Sequence, residues 1–330
     1  MCIALFSTAH PDYALIALDN RDEYILRPTS RPHWWTHPTT GEQILSSRDL
    51  HRAERGTWLG LSKTGNLAVL TNYRESHLDD VDTNICGLRS RGKVVNAWLG
   101  GLADNGIVDG VHKLVANDGV KGVGGFSITC GKLRKNGEGT AIVSNRAGGV
   151  DDVPIVGKTR GETWALSNTT FDNPIEWPKI KMGKKLLEET VTRAIESRQS
   201  EEEFIKDLFL LLDNDTLPVL APEATMPEYL NQLRNSILIP PVGKETHEAQ
   251  MEEARSKGPG VWEDEPEVGE APLGPFEKGM YGTQRQTVVL VDWDGNVTFV
   301  ERALFDANGH VVKRGEGDVS VKFKVEGWEE

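Results

Sequence analysis

The stretch that decides the fold is the start of the chain, MCIALF at positions 1–6 followed by YALIALDNRDEY at positions 13–24. Two short apolar runs on either side of a polar break predict a β-hairpin. With the turn centred near His10, antiparallel pairing sets Cys2 opposite about residue 18, and residues 19–22 emerge beside the start of the chain. We therefore expect a thiol, a guanidinium and two carboxylates at one corner of a sheet.

Cys2 has a chemical and a structural interpretation. If Met1 is trimmed, as is usual before a small residue, the α-amine of Cys2 becomes a general base next to its own thiol, as in N-terminal nucleophile enzymes. Arg21 is then expected to favour the thiolate, and Asp22 to hold the ammonium or orient the base. Alternatively, Cys2 is a small apolar residue that starts a strand, and Arg21 and Asp22 form a surface ion pair. These residues alone leave both interpretations open.

Five motifs carry a resemblance to a known family: MCI at 1–3, NRDE at 20–23, GTWLG at 56–60, LTNY at 70–73, and YGT at 281–283 leading to ER at 301–302. On these motifs the sequence resembles the NRDE family, in order along most of the chain except residues 244–279. The family is similar to N-terminal nucleophile hydrolases. The resemblance therefore implies an α+β fold, a four-layer αββα sandwich of two stacked, mainly antiparallel sheets flanked by helices.

The resemblance also implies a biological role. The family is associated with Golgi organisation and secretion, haem trafficking, and lipid or acyl-CoA homeostasis. The implied ligand is a small hydrophobic or acyl molecule, with haem as a cargo rather than a resident cofactor. The alternative is an active amidohydrolase that cleaves a non-peptide C–N bond, such as that of an N-acyl amide. We expect a cytoplasmic protein, with mitochondrial or Golgi association as the other locations.

Further site residues follow from the resemblance. Asn72 and Asn168 match strand ends whose amides bind an oxyanion, because an NH2 group donates to developing negative charge. Arg285 matches an arginine that supports the site. The alternatives are two ordinary turn residues and an edge-strand charge. The predicted ligand pocket adds five residues, namely Asn20, Glu23, Trp34, Trp35 and Tyr73. The alternative for Trp34 and Trp35 is that they are packing anchors rather than walls of a pocket.

Bulk properties exclude several other classes. A chain of 330 residues with 38% hydrophobic composition suffices for one domain spanning 1–330. A net charge of -13 disfavours nucleic acid and anionic membranes as partners. Three cysteines without Cys-x-x-Cys spacing argue against a zinc site and a disulfide framework. We find no cleavable signal and no apolar run that could span a membrane, and we expect a soluble protein.

The segment 27–38 contains three prolines and the pair Trp34-Trp35, which predicts an ordered irregular loop. His33 and His37 have the spacing of a helical metal pair. Because Pro32 and Pro38 disfavour a helix there, we predict no metal site.

The rest of the chain alternates strand and helix signals. Residues 244–279 are rich in Glu, Pro and Gly and predict a flexible acidic insertion that contributes little to the core. Strands are predicted at 44–46, 57–62, 67–70, 126–130, 140–144, 163–167, 287–292, 297–302 and 319–325; helices are predicted from 90, at 108–116, at 180–195, after a Ser200–Glu203 capping box, and at 229–237.

Overall fold

The strands form two antiparallel sheets in a computed structural model that describes residues 1–72, 91–116, 120, 123–173, 175–218, 228, 231–261 and 276–330. The first sheet has the order β10-β1-β2-β11-β12-β13, and the second runs from β3 to β9 in sequence order. The strands are β1 Ile3–Ser7, β2 Tyr13–Tyr24, β3 His33–Thr36, β4 Gln43–Ser46, β5 Leu59–Ser62, β6 Asn66–Asn72, β7 Phe126–Lys132, β8 Thr140–Ser144, β9 Ile155–Val156, β10 Thr163–Ser167, β11 Tyr281–Asp292, β12 Asn296–Ala303 and β13 Asp318–Lys324.

Helices cover the outer face of each sheet. The helices are α1 Arg91–Ala97, continued by a π-helical turn Trp98–Leu102, then α2 Ile107–Ala116, α3 Pro178–Ser197, α4 Glu201–Leu212 and α5 Glu245–Arg255. The predicted capping box is present at the start of α4, where Ser200 and Glu203 bond each other's backbone N–H groups. Among the described residues, none of the helices has both the length and the apolar character needed to cross a membrane.

Three apolar clusters separate four layers. One, including Phe6 and Val289, lies between the two sheets. A second packs α1 and α2 on the second sheet, and a third packs α3 and α4 on the first. Strand alternation explains the division, since Ala17 faces the other sheet while Ile16 and Leu18 face the helices. The predicted α+β, four-layer αββα sandwich is confirmed.

The register of the first hairpin differs from the prediction. Ile3 lies opposite Asn20 and Ser7 opposite Ile16, so the turn is centred between Pro11 and Asp12 rather than near His10. Cys2 therefore faces Arg21, about three residues later in β2 than the expected residue 18. Strand β2 continues to Tyr24, and the NRDE motif lies inside the strand rather than beyond it.

The loop predicted at 27–38 is partly wrong. His33–Thr36 forms the edge strand β3, which pairs antiparallel with β4. Pro32 and Pro38 lie outside these four residues, so neither removes a hydrogen bond from the ladder. Because His33 lies on a strand, it and His37 lack the helical geometry that would bring both imidazoles to one metal ion.

The acidic segment is also less irregular than predicted. Residues Glu245–Arg255 form α5, and Met251 on this helix is 0% exposed in a small core with Ile25 and Phe305. Arg255 Nε donates to the Gly309 carbonyl at 2.9 Å. The expectation that this segment contributes little to the core is therefore wrong for α5. Residues 262–275 lie outside the described part of the chain. So do residues 229 and 230 of the predicted 229–237 helix. In the described remainder, Leu233–Asn235 forms a 3-10 turn and Ser236 is extended.

Candidate active site

One edge of the sandwich gathers the start or end of several elements. Cys2 directly precedes β1, and Asp22 lies near the end of β2. Tyr281 opens β11, and Lys179 is the second residue of α3. Antiparallel pairing of β1, β2 and β11 brings these ends to the same side. Met1 connects all four residues, because it is joined to Cys2 by the peptide bond and contacts Asp22, Tyr281 and Lys179 through its polar groups.

Met1 occupies the centre of this edge. Its α-ammonium lies 2.9 Å from Asp22 Oδ2 and donates to the Tyr281 hydroxyl at 2.7 Å. Its carbonyl oxygen accepts a hydrogen bond from Lys179 Nζ. The Asp22 side chain is 0% exposed, so the pair is shielded from water on the carboxylate side. The polar groups of Met1 are thus held as those of a small ligand would be.

The Asp22 carboxylate is held in a fixed orientation. Thr283 Oγ1 donates to Oδ1 at 2.6 Å and itself accepts from the backbone N–H of Ile239 at 2.8 Å. The Tyr281 hydroxyl also donates to the Asp22 carbonyl at 3.1 Å. These bonds leave Oδ2 directed at the ammonium. The sequence predicts that Asp22 holds an N-terminal amine, and in the structure Asp22 holds the amine of Met1.

The Cys2 thiol lies next to this pair. It is 2% exposed, accepts from the Asp22 backbone N–H at 3.3 Å and lies 3.6 Å from the Asp22 carbonyl oxygen. Burial, followed by the negative charge of Asp22, raises the pKa of the thiol to about 12, and the Met1 ammonium opposes this shift only in part. With Met1 in place the thiol is therefore protonated near neutral pH and is a weak nucleophile.

Burial also acts on the two amines of the site. It lowers the pKa of the Met1 α-amine, and Asp22 opposes this shift. It lowers the pKa of Lys179 in the same way, again against the charge of Asp22. For the α-amine, a lowered pKa suits the role of a general base near neutral pH.

The two strand-end asparagines lie together beside Cys2. Asn168 Nδ2 donates to the Asn72 carbonyl. The preceding residue, Ser167, donates from Oγ to the Cys2 carbonyl at 2.7 Å. The side-chain oxygens of both asparagines are buried without a hydrogen-bond partner in the described structure. An amide flip of Asn72 would present its NH2 group, and the Asn168 NH2 has a second N–H besides the one that it donates to Asn72. Both side chains therefore suit an oxyanion site.

Arg21 and Arg285 contribute to a different cluster, between the two sheets. The Arg21 guanidinium lies 4.7 Å from the Trp58 ring centroid, and Arg285 Nε lies 3.7 Å from Glu301 Oε1. Burial lowers the pKa of Arg285 to about 9, although Glu301 opposes the shift. The charges that shift the pKa of the Cys2 thiol belong to Asp22, the Met1 ammonium and Asp19. The expected effect of Arg21 on the thiolate is therefore not found while Met1 is present.

Four of the predicted pocket residues have other polar or packing partners in the structure. Asn20 Nδ2 donates to the Leu212 and Ile237 carbonyls at 2.9 and 3.0 Å, close to the end of α4. Glu23 lies 3.8 Å from Arg27.

The two tryptophans belong to the packing of β3. Trp34 packs edge-on against Phe323 with 5.0 Å between centroids, and Trp35 Nε1 donates to Ser46 Oγ at 2.9 Å. The structure thus gives both indoles packing partners on neighbouring strands. The fifth predicted pocket residue, Tyr73, lies outside the described residues.

A groove of about 210 Å³ lies next to the site. It follows β10, whose outer edge is free of a strand partner in the described sheets, and the beginning of α3. Thr169 and Ile180 of its lining directly follow Asn168 and Lys179 in the sequence. The apolar part of the lining consists of Trp164, Ala165, Leu166, Phe171, Ile175 and Ile180.

Sequence reasoning missed Lys179, Ser167 and Thr283 and did not assign Tyr281 a role. A lysine directly after a helix-starting proline and before an apolar stripe is the signal that was available for Lys179. Within the described ranges, three or more His, Cys, Asp or Glu side chains do not come together in a way that could hold a metal ion.

Comparisons with known proteins place the chain in a family. The model of the Transport and Golgi organisation 2 family matches residues 1–306. A Saccharomyces cerevisiae protein described as uncharacterized is 31% identical over 95% of both chains. The Homo sapiens Transport and Golgi organization protein 2 homolog is 31% identical over 93% of this chain and 94% of its own.

Among solved structures, the C2A mutant of a conjugated bile acid hydrolase from Clostridium perfringens is 12% identical. It covers 96% of this chain and 97% of its own, with a TM-score of 0.34. The family match and the human relative are sufficient for assignment: the chain belongs to the Transport and Golgi organisation 2 family.

Proposed function

We propose that the chain, once Met1 is removed, hydrolyses the C–N bond of an N-acyl amide with Cys2 as the nucleophile. The observation that supports this proposal is the 2.9 Å contact between an N-terminal ammonium and Asp22 Oδ2, directly beside the Cys2 thiol. Removal of one residue makes the Cys2 nitrogen the new α-amine. Asp22 and Tyr281 then lose the ammonium that they now bind and are available to the new amine.

The proposed reaction balances without a cofactor. The Cys2 α-amine takes the thiol proton, and Sγ attacks the amide carbonyl carbon. The amides of Asn72 and Asn168 donate to the oxyanion that forms. The C–N bond then breaks as the Cys2 ammonium protonates the leaving amine. Water, deprotonated by the same α-amine, attacks the thioester and releases the carboxylic acid and the free thiol.

The groove along β10 is the proposed position of the acyl chain. Its lining includes Thr169 and Ile180, the sequence neighbours of Asn168 and Lys179, and apolar side chains of β10 and α3. Apolar lining with a few polar groups at one end is typical of sites for ligands with a polar head. An acyl chain in the groove would therefore direct its carbonyl toward Cys2.

For the biological role, we propose that the ligand is a lipid or acyl-CoA derivative. The names of the mammalian relatives refer to transport and Golgi organization, and we extend that setting, including secretion, to this chain. Haem trafficking and a mitochondrial location remain predictions from the family resemblance. A carrier role is favoured for chains that retain Met1, because their thiol is protonated near neutral pH.

The experiment compares two matched proteins. A cleavable fusion is cut to leave either Cys2 or Met1-Cys2 as the N-terminus, and intact mass confirms each product. Both are incubated with a panel of N-acyl amides, acyl-CoAs and haem, and bound ligand and released product are measured.

We expect product only from the protein that starts with Cys2. Cys2→Ser should slow turnover and Cys2→Ala abolish it, while ligand affinity stays near that of the parent. Stoichiometric binding without Cys2-dependent product would replace the hydrolase proposal with the carrier role.

A further inference from the structure

Lys179 occupies a position that is unfavourable for a lysine. Its side chain is 0% exposed, although lysine is almost never fully buried without a partner. It is the second residue of α3, where the positive end of the helix dipole disfavours a cation. The nearby positive charge of the Met1 ammonium is a third unfavourable effect. A lysine placed against all three effects is expected to have a compensating role.

The hydrogen bond of Lys179 indicates that role. Nζ donates to the carbonyl oxygen of Met1. Burial lowers the pKa of Lys179, and the negative charge of Asp22 opposes this shift and favours the ammonium form. The Met1 carbonyl is bonded to the Cys2 nitrogen, so Met1 is in chemical terms an acyl group on cysteine. The ammonium of Lys179 therefore already binds an acyl carbonyl next to the thiol.

The same place suits an acyl group on sulfur. The nitrogen and sulfur of one cysteine are joined through two carbons, and an acyl carbon that bridges them closes a five-membered ring. An acyl carbon on Sγ consequently lies close to the position that the Met1 carbonyl carbon occupies. When Met1 is removed, Lys179 Nζ loses its acceptor and faces this position.

We propose that Lys179 is a catalytic residue that donates a hydrogen bond to the acyl oxygen of the substrate and stabilises the oxyanion formed when Cys2 attacks. This inference rests on the proposed function. Nζ keeps its protons throughout: negative charge develops on the oxygen as the S–C bond forms and disappears as the C–N bond breaks. Lys179 acts alongside Asn72 and Asn168, and a cationic donor gives a stronger hydrogen bond than a neutral amide.

The test compares two reactions of Cys2 in protein that starts with Cys2. Acylation by 4-nitrophenyl decanoate passes through an oxyanion. In alkylation by iodoacetamide the thiolate attacks a saturated carbon, so no oxyanion forms. Lys179→Met keeps most of the buried side-chain volume without the charge, and Lys179→Arg keeps a charged donor. The 4-nitrophenol burst and the Cys2 adduct mass give both rates, and thermal melting confirms that each variant is folded.

We expect Lys179→Met to slow acylation by about 100-fold, the effect of losing one oxyanion donor. Alkylation should change less than a few-fold, and Lys179→Arg should recover part of the acylation rate. Equal slowing of both reactions would show that Lys179 acts on the thiolate, and unchanged acylation would show no role; either result overturns the inference.

If the parent protein is not acylated at all, the proposed function fails together with the inference. If the parent protein is acylated and the Lys179 variants are acylated at the same rate, the proposed function stands and the inference fails.

Discussion

At the residue scale, the chemistry depends on whether Met1 is present. With Met1 bound, Asp22 and Tyr281 bind an ammonium one residue away from the nucleophile, and the thiol pKa is about 12. Without Met1, the base and the nucleophile belong to the same residue. The same set of side chains thus supports an unreactive and a reactive form.

The unreactive form gives a direct prediction on thiol reactivity. Because the ordinary pKa of the thiol is 9.0 and the buried value is about 12, the thiolate fraction of Cys2 at pH 8 is reduced on the order of 1,000-fold. Protein that retains Met1 should therefore be alkylated at Cys2 by iodoacetamide about 1,000-fold more slowly than a free cysteine peptide. Peptide mass spectrometry follows Cys2 separately from Cys86 and Cys130. A rate close to that of the free peptide would show that the thiol is not held neutral.

At the residue level, the sequence predicts those side-chain contacts that depend on where strands end. Cys2 and Asp22 are in contact because antiparallel pairing of β1 and β2 brings these strand ends together. Asn72 and Asn168 are in contact across the two sheets, because β6 and β10 end at the same edge of the sandwich. The sequence did not predict the contact of Lys179, whose approach to Met1 depends on how α3 packs on the first sheet. Sequence spacing contains no information about that packing.

At the element scale, short elements were the least predictable. Strand β3 has four residues between two prolines, and pairing with β4 outweighs the local signal for a loop. Helix α5 has a strongly polar sequence with Met251 as its buried residue, so its apolar periodicity is weak. The longer elements α3, β11 and β12, with clear periodicity, were predicted as helix and hairpin.

The packing of α5 is testable through Met251. Met251→Ala removes a side chain that is 0% exposed and contacts the core formed with Ile25, Leu304 and Phe305. The free energy of unfolding should fall by about 2–5 kcal/mol, the usual loss for such a buried truncation. Urea denaturation measures the change, and Glu252→Ala on the exposed face of the same helix is the control. Equal stability of the two variants would mean that α5 is not packed as described.

The groove beside β10 predicts a dependence on acyl chain length. Ile175, 71% exposed at the groove, offers apolar contact to a long chain but not to an acetyl group. Ile175→Ala should raise KM for decanoyl amides several-fold and leave acetyl amides unchanged. Val311→Ala, at a residue 70% exposed elsewhere, is the matched control. The same effect on both chain lengths would place the acyl chain outside the groove.

At the scale of the whole molecule, a charged cluster lies between the two sheets. A cavity of about 10 Å³, the size of a single water, is lined by Asp19, Arg21, Arg285 and Glu301. Ser47 donates to both carboxylate oxygens of Glu301 at 2.7 Å. Burial raises the pKa of Asp19 to about 8, although Arg21 opposes the shift. The interior that joins the two sheets therefore contains a carboxyl group that resists ionisation.

This carboxyl group makes stability depend on pH. The folded-state pKa of Asp19, about 8, lies above the ordinary 3.8, so the folded chain binds more protons than the unfolded chain between these values. The contribution of Asp19 to stability is therefore present below about pH 4 and is lost as pH rises through 8. Asp19→Asn, a neutral isostere, should be more stable than the parent at pH 8.5, by an amount on the order of a few kcal/mol, and similar at pH 4. Urea midpoints at the two pH values measure this, and a pH-independent difference would contradict the assigned pKa direction.

The most direct test of the central claim is intact-mass spectrometry of the two matched proteins after incubation with an N-decanoyl amide and acid quenching. Protein that starts with Cys2 should carry a decanoyl adduct that maps to Cys2 and decays as decanoic acid appears. Protein that retains Met1, and Cys2→Ala, should carry none. Adduct formation or product release that is the same with and without Met1 would contradict the account, because the reaction would then not depend on an α-amine on Cys2.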